Sequence, residues 1–115
     1  MTTRRAAIAA MVGGMLAAPR MAQAQDVPYA DVVTEAAWRW GVEPNWLIRV
    51  MMCESGGDPY AVNPVTGDTG LFQFNPNTWE AYGGGDIWNA WEQADKAAMM
   101  FSMGLAHLWV CNFMV

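Results

Sequence analysis

Residues 44–57 read Pro44-Asn45-Trp46-Leu47-Ile48-Arg49-Val50-Met51-Met52-Cys53-Glu54-Ser55-Gly56-Gly57, and the fold class turns on this stretch. Pro44 suits the first turn of a helix, where its missing N–H would have no intrahelical partner. Gly56-Gly57 stops the helix, because glycine adopts the left-handed conformation of a helix end without a Cβ clash. Between these signals Leu47, Val50, Met51 and Glu54 fall at i, i+3, i+4 and i+7 and share one face. Three of them are apolar. The fourth is a carboxyl at the helix C-terminus, where the partial negative charge of the helix end opposes ionisation. Burial on that face acts in the same direction. A carboxyl that keeps its proton near neutral pH can serve as a general acid. By position alone Glu54 also fits an exposed helix-end residue or a partner of Arg49.

On the N-terminal side, Val32, Val33, Ala36, Ala37 and Trp40 recur at helical spacing, which predicts a helix over Pro28 to Trp40 ending at Gly41. On the C-terminal side, Gly56, Gly57, Asp58, Pro59, Asn63, Pro64, Gly67, Asp68 and Gly70 make residues 56–74 a turn-rich segment. Within it Leu71-Phe72-Gln73-Phe74 reads as a brief strand or extended piece. Pro76 opens a short third helix to about Tyr82, which Gly83-Gly84-Gly85 breaks. Asn89, with Glu92 three residues on, resembles a capping box. The last helix then runs from Ala90 to about Leu108, with Ala94, Ala97, Ala98, Phe101, Leu105 and Leu108 on its apolar face. The expected architecture is mostly α, a small helical domain with a central turn-rich loop or short strand segment. Ten Met and seven Trp are many for 115 residues. Met51, Met99, Met100 and Met103 read as flexible core filler.

The first 24 residues read as a cleavable export signal rather than as fold. Arg4 and Arg5 form a basic start, Ala6 to Ala18 is uncharged and apolar, and Ala22-Gln23-Ala24 supplies the small-x-small cleavage pattern. The apolar run is too short for a membrane-spanning helix, so no anchor is expected after processing. Thr3-Arg4-Arg5 resembles a twin-arginine signal; the general secretory route fits as well. Export places residues 25–115 in the periplasm or outside the cell. The chain carries a formal net charge of −5, and loss of Arg4, Arg5 and Arg20 makes it more acidic still. Such a surface argues against nucleic acid or an anionic membrane as partner. Cys53 and Cys111 are the only cysteines. In an oxidising compartment a pair is more often a disulfide than a metal site, with two buried thiols as the alternative. A bridge would close a loop of roughly 60 residues and stabilise the domain by about 4 kcal/mol. Two cysteines with one distant His do not make a zinc site, and no calcium-loop pattern occurs, so neither metal nor cofactor is expected.

Cys53-Glu54-Ser55-Gly56-Gly57, Asn63-Pro64-Val65-Thr66-Gly67, Gly70-Leu71-Phe72-Gln73-Phe74 and Pro76-Asn77-Thr78-Trp79 follow one another at a spacing that resembles the lysozyme-like lytic transglycosylases. That family includes the soluble lytic transglycosylases and the resuscitation-promoting factors, and the resemblance covers roughly residues 30–111. It implies an α+β lysozyme-like fold and a peptidoglycan glycan strand as substrate. It implies that Glu54 is the catalytic acid/base, that Ser55 supports the acid or the substrate, and that Gly70, Leu71, Phe72 and Gln73 form a groove wall with Gln73 reaching the sugar. It makes Asn63 a candidate orienting residue, although Ser and Asn are also ordinary turn residues. Some of the Trp side chains would line a sugar groove. A Cys before the catalytic Glu with a late Trp109-Val110-Cys111 looks like the resuscitation-promoting branch and supports a Cys53–Cys111 bridge. The chain departs from many soluble lytic transglycosylases in having no Tyr after Tyr82; Trp109 is the candidate to line the groove in its place. His107, the only His, reads as a surface or capping residue.

Hydrolytic glycosidases usually need two carboxyl groups. Only Glu54 is embedded in a motif, while Asp58, Asp68 and Asp86 sit in turn-rich segments. The expected reaction is therefore lytic: one acid/base cleaves the β-1,4 bond between N-acetylmuramic acid and N-acetylglucosamine and leaves 1,6-anhydro ends. The alternatives are a lysozyme-type hydrolase, with one of those three Asp residues as base, and a non-catalytic glycan-binding or assembly module.

Overall fold

In the computed structural model, which describes residues 27–115, the chain forms four helices: α1 Ala30–Trp40, α2 Pro44–Ser55, α3 Pro76–Ala81 and α4 Ala90–Ser102. Two 3-10 turns follow, Ala106–Leu108 and Val110–Phe113. The expected leader lies outside the described residues. None of the helices described is long and apolar enough to cross a membrane.

The helix ends follow local chemistry. Helix α1 starts two residues later than its apolar spacing predicts, because Tyr29 is left-handed (φ 62°) and Ala30 N–H closes a turn onto the Val27 carbonyl. It ends where expected. Gly41 is left-handed, Val42 N–H reaches the Ala37 carbonyl at 2.8 Å, and Val42 is buried beneath the end. Helix α2 has the predicted bounds, with Pro44 in its first turn and Gly56 (φ 67°) after its last. Its cap is Glu43, whose carboxylate accepts from Asn45 and Trp46 N–H. Asn89 caps α4 by accepting from Glu92 N–H, but the Glu92 side chain turns to Asp86 N–H instead of completing the reciprocal box.

Helix α1 packs against both α2 and α4. Ala36 and Ala37 on one side and Ala94, Ala97 and Ala98 on the other are fully buried, and small side chains let helix axes approach closely. A row of aromatics ties the rest together. Trp79 meets Phe74 edge-on at 5.0 Å, Phe74 meets Trp109 at 5.6 Å, and Trp109 meets Phe101 at 5.1 Å. Trp46 of α2 closes the row on Phe101 at 4.7 Å. Cys53 and Cys111 are bonded, with Cα atoms 5.9 Å apart and 58 residues between them in sequence.

Two expectations change. Leu71-Phe72-Gln73-Phe74 is a turn, not a strand; Thr69 and Phe74 exchange backbone hydrogen bonds around it at 2.9 and 2.8 Å. Isolated bridges Val62–Thr69 and Thr69–Phe74 are the only β pairing among the described residues. The last helix stops at Ser102, not near Leu108. Gly104 (φ 81°) and the Leu105 N–H bond to the Met100 carbonyl terminate it, and the chain turns back so that Cys111 can reach Cys53.

Candidate active site

A cleft of about 290 Å³ lies beside the C-terminal end of α2. Glu54 from α2, Asp68, Gln73, Phe74 and Asn75 from the central loop, Thr78 from α3, Met100 from α4, and Leu108, Trp109 and Val110 from the 3-10 region line it. Glu54 is half-buried. Burial pushes its carboxyl above the ordinary value, the neighbouring Cys111 backbone N–H opposes this, and the Asp68 charge raises it further. No ion pair to Arg49 offsets the shift among the described residues. The carboxyl is thus biased toward its protonated form, as a general acid requires.

The wall is positioned from beneath. The fully buried Gln93 of α4 accepts from Leu71 N–H at 2.8 Å and donates to the Pro59 and Ile87 carbonyls at 3.0 and 2.7 Å. Two of these bonds hold the loop that carries cleft residues, and the third ties in the connection between α3 and α4. Gly70 packs so closely on Gln93 that a Cβ would come within 2.6 Å of it. Lys96, also buried, donates to the Tyr82 carbonyl at 2.7 Å and sits 4.3 Å from the Trp79 ring centre. Desolvation lowers its proton affinity, and the charges of Glu92, Glu80 and Asp95 oppose that.

The residues expected at the site separate into groups. Glu54, Gln73 and Trp109 meet in the cleft. Gln73 has a left-handed backbone (φ 52°), and its side-chain N–H groups go to the Ala61 and Gly70 carbonyls, which orients the amide. Trp109 is only 6% exposed, and its indole N–H donates to the Phe72 carbonyl at 2.8 Å, so it joins the wall to the core. Phe72 itself is fully buried, and its side chain offers no face to a sugar. Ser55 does not line the cleft; its hydroxyl donates to the Leu71 carbonyl at 2.7 Å and accepts from Gly57 N–H, joining the end of α2 to the central turn. Asn63 is exposed, and its side chain accepts from Val65 and Thr66 N–H, which is turn chemistry. His107 is exposed and outside the cleft. After Tyr82 the chain has no Tyr, and its 3-10 region lines the cleft with Leu108, Trp109 and Val110.

Asp68, Asn75 and Thr78 also line the cleft, although sequence gives none of them a site role of its own beyond Asp68 as one of three alternative bases. Thr78 stood in the quoted Pro-x-Thr-Trp motif, and Asn75 caps α3 by accepting from Asn77 and Thr78 N–H. Asp68 looked like one of three turn aspartates. Asp58 and Asp86 do act so, accepting from Tyr60 and Trp88 N–H. Asp68 instead faces the Glu54 cleft, so the carboxyl count there is two, not one. Among the described residues no group of three or more His, Cys, Asp or Glu is arranged to hold a metal ion.

Comparison with known proteins bears on the family of the chain. The chain is 50% identical over 44 residues to resuscitation-promoting factor RpfC of Mycobacterium tuberculosis (Erdman strain), covering 38% of this chain and 30% of that one. It is 51% identical over 37 residues to resuscitation-promoting factor Rpf2 of Corynebacterium glutamicum, covering 32% of this chain and 10% of that one. The chain therefore aligns with less than a third of either relative. The Transglycosylase SLT domain profile matches residues 31–108, from α1 through the cleft to Leu108. The chain belongs to the transglycosylase SLT domain family.

Proposed function

We propose that this protein is an exported peptidoglycan lytic transglycosylase with Glu54 as its acid/base. One observation carries the reading: the carboxyl inside the motif is also the half-buried acid of the cleft, with its proton affinity raised by its surroundings. Protonated Glu54 donates to the oxygen between N-acetylmuramic acid and N-acetylglucosamine. The glycosidic bond breaks, and positive charge develops on the muramyl ring. The Glu54 carboxylate then takes the proton of the C6 hydroxyl of that ring, whose oxygen closes the 1,6-anhydro product. No water is consumed, and the acid is regenerated. The Cys53–Cys111 bridge supports a periplasmic or extracellular setting, consistent with residues 1–24 acting as a removable leader.

Lysozyme-type hydrolysis is the second reading, and Asp68 is the observation that favours it. Of the three aspartates considered as base, Asp68 is the one that lines the cleft. Mass spectrometry of peptidoglycan digested by wild type and Glu54→Gln decides between these outcomes. Anhydro ends from wild type alone support the lytic reading, and reducing ends replace it with hydrolysis. If both proteins bind sacculi and neither releases fragments, the domain is a glycan-binding module.

A further inference from the structure

Asp68 is held in an unusual way for a turn residue. Its backbone is pinned, with Asn63 N–H on the Asp68 carbonyl at 2.9 Å and Asp68 N–H on the Thr66 hydroxyl at 3.2 Å. Gly67 (φ 78°) makes the turn, and the next residue, Thr69, is buried and bridged to both Val62 and Phe74. Asn63 and Thr66 thus supply the side-chain bonds of this loop, work that an Asp usually does for itself. The Asp68 carboxylate is left over: its Oδ1 is buried and has no hydrogen-bond partner. Among the described residues Glu54 and Asp68 are the only ionisable ones lining the cleft, and none of the lining residues is a cation that offsets the Asp68 charge. A fixed charge that its surroundings do not neutralise acts strongly on charge that develops during a reaction.

We propose that Asp68 is a second working carboxyl of this cleft, a preorganised carboxylate that stabilises the positive charge developing on the sugar ring as Glu54 gives up its proton. The role rests on the glycan-cleaving reading of the site and holds whether the C6 hydroxyl or water completes the reaction. The same charge reaches Glu54 and favours its protonated form, so one residue serves both halves of the step. The Cys111 backbone N–H acts on Glu54 in the opposing sense.

The test is Asp68→Asn, which keeps the shape and removes the charge, with Asp68→Ser as a second variant. Circular dichroism and melting select whichever variant folds. Fragment release from sacculi is then measured across pH 4 to 8 beside wild type and Glu54→Gln. The expected result is a fall in kcat on the order of tenfold to a hundredfold. The high-pH limb of the profile should also move to lower pH, because Glu54 loses the neighbouring charge that favours its proton. Carbon-13 titration of the Glu54 carboxyl should show the same downward movement without relying on activity. A folded variant with wild-type kcat, an unmoved pH profile and an unmoved Glu54 titration overturns the proposal. A wild type that releases no fragments at any pH overturns the glycan-cleaving reading beneath it, a distinct result.

Discussion

As the proposed acid, Glu54 answers to two opposing demands. Catalysis favours a carboxyl with raised proton affinity, and raising it by burial makes the ionised form a burden on the folded state. Its folded value lies above the unfolded one, so between the two the native state binds more protons, and the stability contribution falls as pH rises through that window. Glu54→Gln should therefore gain melting temperature relative to wild type as pH rises from 4 to 7, while its cleavage of sacculi falls by ~10²-fold or more. Thermal melts at the two pH values check the first part. Ser55 makes a contrasting case. Its hydroxyl acts on the Leu71 carbonyl and the Gly57 N–H, not on a ligand, so Ser55→Ala should cost about 1–2 kcal/mol in urea unfolding. Activity should weaken with it, because the same hydroxyl sets the distance between the end of α2 and the loop. At this scale Glu54 and Gln73 were legible from sequence. Phe72 was not, because a motif marks a segment without saying which side chain of a tight turn faces inward.

Among the elements, the turn over residues 69–74 shapes the wall. It reads as a strand in sequence because Leu71, Phe72 and Phe74 are apolar and adjacent. It is a turn because Gly70 and Gln73 both take positive φ and the Thr69–Phe74 bonds close around them. Gly70→Ala should be severely destabilising, by ~3 kcal/mol or more, since a Cβ meets Gln93 and the backbone is left-handed. Denaturant unfolding measures it, and a loss below 1 kcal/mol would show that Gln93 gives way. Helix α4 teaches a related lesson. Its apolar spacing continues through Leu105 and Leu108, yet the helix ends at Ser102 because a glycine takes the left-handed position. Periodicity reports which residues want burial. It does not separate a helix that continues from one that stops, and past the stop it fails: Leu108 is exposed while Ala106 and Trp109 are buried.

For the molecule as a whole, the disulfide joins α2, which carries Glu54, to the 3-10 region at Cys111. The segment it holds contains Leu108, Trp109 and Val110, one wall of the cleft, and Cys111 presents its backbone N–H to Glu54. Reduction, or Cys53→Ser with Cys111→Ser, should remove about 4 kcal/mol, a large part of the 5–15 kcal/mol typical of a small domain. Activity should fall before the helices melt, because the wall loosens first. Melting and fragment release followed side by side against dithiothreitol check the order. Simultaneous loss would mean that the wall is held without the bridge.

Sequence alone determined the order and nearly all the ends of the helices, because capping residues, prolines and glycines act within a few positions of themselves. It also singled out Glu54, through the motif around it, as the carboxyl that folding places in the cleft. Tertiary structure alone decided which polar residues share a cavity. Asp58, Asp68 and Asp86 are equivalent as turn residues, and only folding shows that two of them bond to their own loops while the third faces Glu54. It also decided that Trp109 serves as wall and core together, through a contact with Phe72 across 37 residues. Local chemistry sets where the chain turns, and long-range packing sets which of the turned residues meet.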